Sequence, residues 1–276
     1  MFILKADGTQ EEFKPEKLAD SLRRARAGED TIKKIVSHID KEMVNGITTA
    51  KLYDHAFELL HKFERSVAAR YSLKKAIAEL GPSGFPFEKF IAEVMKTQGF
   101  EAVTNQIVQG RCADHEMDVV AWNGKKLIMA EAKFHNEYAL KSDFKVALYI
   151  KARFDDLLDG PIFNYGKKRK LDEGFLITNT KFTEKAISYS ECAGVRLIGW
   201  NYPKKGNLHD MIGEANLHPL TCLTTLSGAE KRMLLERGVV LCKAVAENHS
   251  LLKEIGMSQE KIERVISETE YFCPKI

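Results

Sequence analysis

The residues best equipped to do chemistry lie in one stretch, Glu116 to Phe134, EMDVVAWNGKKLIMAEAKF. Two strand-like runs, Glu116–Trp122 and Lys126–Phe134, flank Asn123-Gly124. That dipeptide predicts a type I′ hairpin turn, whose two central residues need φ > 0. In the second run, Glu131 and Lys133 are the only charges at inner positions. Side chains alternate across a strand, so these two share a face, about 6–7 Å apart along the chain. Asp118 sits on the partner strand. Charges within otherwise apolar strands are costly unless something pairs them, and a divalent cation would.

Other elements must hold this hairpin in place. Upstream, Phe87, Phe90, Ile91, Val94 and Met95 form a helical stripe ended by Gly99. Glu88 lies at the edge of that stripe. Phe100–Val108 reads as a strand, with Gln109-Gly110 turning out of it. Downstream, Asp143–Leu158 reads as a helix with Phe144, Ala147, Leu148, Ala152 and Leu157 available for packing. Phe175–Thr178 and Val195–Trp200 read as strands around a helix at Phe182–Cys192. Alternating β and α elements predict an α/β fold, with helices on both faces of one sheet.

The flanks differ from this centre. FILK, the turn Ala6-Asp7-Gly8-Thr9 and QEEF predict a small hairpin. Pro15 then opens a helix at its first turn, where a missing N–H does no harm. Leu18, Leu22 and Ala25 follow at helical spacing. Further helical patterns run through Thr31–Met43, Thr49–Phe63 and Arg65–Leu80. Gly81-Pro82-Ser83-Gly84 reads as a linker. Beyond residue 219 the pattern is helical: Leu226–Leu235 closed by Gly238, Ala244–Leu252, then Ile255-Gly256-Met257-Ser258 and Gln259–Glu270. Apolar–Gly–apolar between two helices is similar to a helix-hairpin-helix, in which helix N-terminal amides receive a DNA phosphate. A bundle used for self-association fits as well. The expected division is 1–83, 84–219 and 220–276.

Composition narrows the function classes. No apolar run approaches the roughly 20 residues of a membrane span, and the N-terminus lacks a signal-peptide pattern, so a cytoplasmic protein without a membrane partner is expected. The five cysteines are scattered, none closer than twenty residues to the next. That suits reduced, mostly buried thiols better than a disulfide frame or zinc site. The net charge of +3 divides as +2, +1 and zero over the three regions. Nucleic-acid contact must therefore rest on local patches. The densest is Lys167-Lys168-Arg169-Lys170, either a solvated loop or a phosphate-tracking loop beside the site; Lys204-Lys205 is a second.

Two families are similar to parts of the chain. ILKADGTQEEFKPEKL and AARYSLKKAI resemble the ATP-cone, a nucleotide-binding regulatory domain. This resemblance implies contacts to ATP or dATP from Lys5, Glu11, Lys17 and Thr49. It departs at Ala6, where the family usually has an Arg able to grip phosphate bidentately. GFPFEKFIAEVMKTQGFE, HEMDVVA, IMAEAK and GFLITNTKFTEKAISYSECAGVRLIGW, in that order, resemble the Mrr-like restriction endonucleases of the PD-(D/E)XK superfamily. That resemblance implies a mixed sheet flanked by helices, a DNA-cleaving activity and a helical acid at Glu88.

Phosphodiester hydrolysis needs an activated water and neutralised charge on the phosphate, which Mg²⁺ or Mn²⁺ supplies through hard oxygen ligands. Asp118, Glu131 and the Ala132 carbonyl are the expected metal ligands. Lys133 would orient the water and stabilise developing negative charge. His115 and Gln106 are weaker candidates for phosphate contact. The expected function is a metal-dependent endonuclease of double-stranded DNA with a nucleotide effector. The alternative is a catalytically inactive, nucleotide-responsive DNA-binding regulator. Cutting both strands needs two sites, so a homodimer or higher homo-oligomer is expected. Its contacts are expected through apolar tail faces at Leu234, Leu241, Leu252, Ile262 and Ile266, which the tail looks too small to bury alone.

Overall fold

The computed structural model describes residues 1–5, 8–64, 67–68, 71–137 and 139–273. The expected turn residues Ala6 and Asp7, and Arg65, Ser66, Ala69 and Arg70 of the fourth expected helix, lie outside the described residues. The chain opens with β1 (Phe2–Leu4) and β2 (Gln10–Glu12), antiparallel, followed by α1 (Pro15–Arg24) and α2 (Glu29–Glu42). β3 (Ile47–Thr48) joins β1 in parallel and runs directly into α3 (Thr49–Phe63). The Thr48 hydroxyl caps α3 by accepting the N–H of Lys51 at 3.2 Å. Ile3, Leu22, Ile32, Ile35, Ala56 and Leu60 are among the residues of this region's own core.

Next come α4 (Leu73–Ala78), α5 (Phe85–Thr97) and three long strands: β4 (Glu101–Gln109), β5 (Asp114–Trp122) and β6 (Leu127–Lys133). They are followed by β7 (Lys141–Ser142), α6 (Phe144–Leu158), β8 (Phe163–Tyr165), β9 (Lys167–Arg169), β10 (Glu173–Thr178), β11 (Lys181–Phe182), α7 (Glu184–Ala193) and β12 (Arg196–Ile198). A five-stranded sheet runs in the order β12-β10-β6-β5-β4. β12, β10 and β6 are parallel; β5 and β4 are antiparallel additions. This is a mixed sheet with helices on both faces. Phe87, Phe90 and Ile91 of α5 cover one face, together with Val119, Ala130 and Ile177. Ile150 and Phe154 of α6 cover the other, with Val120, Met129 and Leu176.

Several expectations change here. The hairpin turn is not type I′. Neither Asn123 nor Gly124 has a positive φ, and Trp122 pairs with Leu127 across a four-residue loop. The Asn123 carboxamide accepts the N–H groups of Lys125 and Lys126 at 2.8 and 2.9 Å. That side-chain turn satisfies the loop without left-handed backbone. On α6, Leu148 is 41% exposed and Ala152 is also exposed; Ala147, Ile150, Phe154 and Leu157 carry the packing. Gly81–Gly84 is not a free linker. A Cβ on Gly81 would lie 2.8 Å from the Phe134 ring, so the chain is pressed against the residue that follows β6. Cys222 and Cys242 are buried, Cys273 is half-buried, and Cys112 and Cys192 are exposed.

The chain ends with α8 (Leu208–Glu214), a 3-10 turn at Leu220–Cys222, α9 (Gly228–Glu236), α10 (Cys242–Glu247), α11 (Ser250–Glu254) and α12 (Gln259–Phe272). Ser227 and Glu230 form a capping box at the start of α9. The expected association face is not exposed. Leu234, Leu241, Leu252 and Ile262 are buried and Ile266 is partly buried, all in the cluster that covers the α5 face of the sheet. The tail buries them against the same chain, including Leu73 and Ile77 of α4, because it packs on the sheet domain instead of folding alone. Thr221 Oγ1 donates to the Ala76 carbonyl at 2.5 Å, tying tail to α4. Among the described residues, no helix is long and apolar enough to cross a membrane.

Candidate active site

β5 and β6 pair from Trp122–Leu127 to Val119–Ala130, and the ladder then stops. The next opposed positions are Asp118 and Glu131. Asp118 Oδ2 instead accepts the N–H of Ala132 at 2.7 Å, so its side chain stands where a ladder carbonyl would. β6 remains paired on its other edge, with Leu176, Ile177 and Thr178 opposite Glu131, Ala132 and Lys133. On the far side, β4–β5 pairing skips Asn105 and Asp118, and Asn105 has φ 53°. Alternation reverses at this point: Met117 and Val120 pack on one face, Val119 and Ala121 on the other. The sheet therefore opens at Asp118, and polar side chains there reach solvent beside a rigid strand.

Four carboxylates share this opening. Glu88, from the first turn of α5, is raised from 4.5 to about 7, by burial first and then by Asp118, Glu116 and Glu131. Burial also raises Asp118 and Glu131, and Asp118 pushes Glu131 further. Their neutralising partner is Arg153 of α6. Its Nη1 donates to Glu131 Oε2 at 2.6 Å, and its Nη2 donates to the Glu116 carbonyl. The side chains of this ion pair are only 11% and 20% exposed. Lys133 is exposed and pairs with no described residue. The residues fit a hard divalent cation, because the acids outnumber the cations beside them and burial disfavours their charged forms unless a cation joins them. The second oxygen of Asp118 and of Glu131 accepts no hydrogen bond from a described residue.

The arrangement places Glu88, Asp118, Glu131, Ala132 and Lys133 together. Glu116 and Arg153 were not singled out in the sequence. A signal for Arg153 exists: it stands three residues after Ile150 and four before Leu157, on the buried side of α6, where an Arg needs a partner. His115 is committed elsewhere. Its Nε2 lies 2.8 Å from Asp156 Oδ2, and Asp156 also accepts the N–H groups of Cys112 and Ala113. His115 thereby holds Asp156 down at about 2. Gln106 donates to the Thr104 carbonyl, a local contact.

The basic run is not beside this site. Lys167–Arg169 form β9, paired with β8. Lys167 Nζ donates to the Gly124 carbonyl at 3.0 Å and Arg169 Nη1 to the Asn123 carbonyl at 2.8 Å. Lys170 Nζ donates to the Gly160 carbonyl, while Lys168 is exposed. Lys167 and Arg169 thus brace the hairpin loop at the opposite end of β6, about 20 Å away over seven residues. Lys204 and Lys205 are exposed.

The first hairpin forms a second polar centre. Glu11 sits between Lys5 and Lys17, ion-paired to both. Thr48 pairs with Leu4, which brings Thr49 level with Lys5 at the end of β1. Of the four residues expected to contact nucleotide, Lys5, Glu11 and Lys17 are thus joined by ion pairs, while Thr49 follows β3 on the other side of β1.

Comparison with known proteins shows what the chain is similar to. The ATP cone domain family matches residues 1–79. The family described as AF1548-like, C-terminal matches residues 218–273. An uncharacterized protein of Archaeoglobus fulgidus is 35% identical over 181 residues, covering 65% of this chain and 98% of that protein. The crystal structure of AF1548, a protein of unknown function, matches with a TM-score of 0.57 at 33% identity, covering 70% of this chain and all of that one. MspJI restriction endonuclease in complex with a 27-mer oligonucleotide matches at 15% identity and a TM-score of 0.33, covering 72% of this chain and 39% of that one, a likeness too slight to carry a conclusion. With an ATP cone domain over its first 79 residues, the chain belongs to the AF1548-like family.

Proposed function

We propose that the chain is a metal-dependent nuclease of the PD-(D/E)XK type that hydrolyses phosphodiester bonds in double-stranded DNA. The observation that carries this reading is the opened end of β5 and β6, where Asp118, Glu131 and Lys133 converge with a surplus of carboxylates. The resemblance of this segment to Mrr-like endonucleases supports it. Bound Mg²⁺ or Mn²⁺ would act as a Lewis acid on the phosphate and lower the pKa of a coordinated water. Asp118 and Glu131 would hold the ion through their free oxygens, with the Ala132 carbonyl as a third ligand. Lys133 would donate from Nζ to the attacking water or to the phosphate oxygen that gains charge. Glu88, its pKa raised to about 7, would accept or return a proton at its carboxylate.

The cone supports a second level of the proposal, ATP or dATP as effector, gripped through Lys5 and Lys17. The domain division at residues 83 and 219 is a proposal of the same standing, as is a DNA contact by the Lys167–Lys170 run made through exposed Lys168, since Lys167, Arg169 and Lys170 donate to carbonyls of the chain. A homodimer on DNA is proposed from the need to cut two strands, not from the tail. A regulator that binds DNA without cutting it is favoured by one contact, the Arg153–Glu131 pair, which occupies an expected ligand. Incubating the full chain with supercoiled plasmid, MgCl₂ or MnCl₂, with and without ATP or dATP, separates the two. Nicked or linear product that is lost with EDTA and in Lys133→Ala is expected. Bound but intact plasmid under every condition would leave the regulator reading.

A further inference from the structure

The cone carries a second group of ligand-type side chains, on α2 and α3. His38 and Glu42 lie one turn apart in the last turns of α2, on the same helix face. His55 faces them from the second turn of α3. Glu42 Oε2 is 3.2 Å from His38 Nε2 and 3.6 Å from His55 Nε2. One ligand atom from each of the three lies within 4.8 Å of the others, a grouping found nowhere else among the described residues. The imidazole rings stand edge-on, 5.4 Å apart and tilted by 73°.

We propose that His38, Glu42 and His55 bind a divalent transition-metal ion of the Zn²⁺ class. Metal–ligand bonds of about 2.0–2.1 Å in a tetrahedron put neighbouring ligands about 3.4 Å apart, and the two carboxylate–imidazole separations, 3.2 and 3.6 Å, bracket that value. Hydrogen bonding accounts for the arrangement less well, since 3.6 Å from His55 to the carboxylate is beyond a hydrogen bond. Two imidazoles with one carboxylate prefer Zn²⁺, Co²⁺ or Ni²⁺ over Mg²⁺. The site is thus chemically distinct from the carboxylates at the end of β6. Three protein ligands leave a fourth position for water. The three side chains are 44%, 55% and 31% exposed, so an ion enters from solvent without unfolding. Bound metal would cross-link α2 to α3 across residues 43–48, which contain β3. The inference is independent of the nuclease reading.

Calorimetric titration of the full chain with ZnCl₂ in excess MgCl₂ tests it. One saturable site per chain is expected, and His38→Ala or His55→Ala should weaken it at least about tenfold. Asp118→Ala/Glu131→Ala should leave it unchanged. CoCl₂ should give the intense visible absorption of a four-coordinate centre in the wild type and not in His55→Ala. Zn²⁺ should raise the thermal midpoint of the wild type but not of His55→Ala. Because His38 is exposed and His55 half-exposed, both variants should lie close to the wild-type midpoint without metal. Absence of saturable Zn²⁺ binding, binding unchanged in both histidine variants, or binding lost instead in the Asp118/Glu131 variant would each overturn the proposal.

Discussion

At the end of β6 and at the first hairpin, carboxylates and lysines meet on neighbouring strands with opposite electrostatic results. At β6 four acids crowd one Arg and one Lys in a partly buried opening, and Glu88, Asp118 and Glu131 are all pushed upward. At the hairpin one acid lies between two exposed lysines, and Glu11 is held at about 2, by Lys17 first and Lys5 next. The first centre lacks positive charge and the second carries an excess. Burial and the local ratio of charges, more than residue type, set which sign of ligand each can accept. The first suits a cation, the second a polyphosphate.

The largest effect expected from breaking this contrast is at the cation-seeking centre. Asp118→Ala, Glu131→Ala and Lys133→Ala should each lower plasmid cleavage about 10²–10³-fold or more, with unchanged circular dichroism. Wild-type rates in all three would remove the centre from the chemistry. Next is Arg153→Met, which takes away the partner of a largely buried carboxylate. Breaking such a pair costs about 3 kcal/mol or more, so the variant should unfold earlier in urea with EDTA. Millimolar MnCl₂ should recover part of the loss, because metal replaces the guanidinium. An unshifted midpoint would mean that the carboxylates are not short of positive charge.

Glu88 gives a smaller effect, with a definite sign. Its folded pKa lies above the unfolded value, so the folded state binds the extra proton between them. The stability it lends is full below about 4.5 and is lost as pH rises through about 7. Without metal, wild type should therefore lose about 1–2 kcal/mol relative to Glu88→Gln between pH 4.5 and 8, after allowing for its partial exposure. Parallel stability–pH curves for the two proteins would contradict this. The smallest effect is at the anion-seeking centre. Lys17→Ala should weaken ATP binding about tenfold by calorimetry, as loss of one charged phosphate contact does, and leave Mg²⁺ affinity at β6 untouched. Equal ATP affinity in the variant would place nucleotide elsewhere on the cone.

Much of both centres was legible because it is local. Asp118, Glu131 and Lys133 belong to strands joined by a short hairpin, so alternation and adjacency bring them together whatever else the chain does. Lys5, Glu11 and Lys17 are equally close in sequence. Helix periodicity placed Phe87, Phe90 and Ile91 on the packed face of α5, and Pro15 marked the start of α1. The failures came where a side chain answers to something distant. Asn123 replaced the expected left-handed turn by capping its own loop. Arg153 is thirty-five residues from Asp118 in sequence, yet neutralises the site because α6 crosses that end of the sheet. Lys167 and Arg169 looked free for phosphate until their donors met the Asn123–Gly124 carbonyls.

The amino-acid sequence by itself determined which acids and lysines stand on neighbouring strands and which strands carry them. Strand alternation, helix periodicity and turn chemistry act over a few residues and are written in the order of side chains. Only the tertiary structure decided that the sheet opens at Asp118, that Arg153 occupies one oxygen of Glu131, and that the tail's leucines are covered by α4 and the sheet. Those outcomes depend on which surfaces meet after long loops close, and burial then sets the strength of every charge.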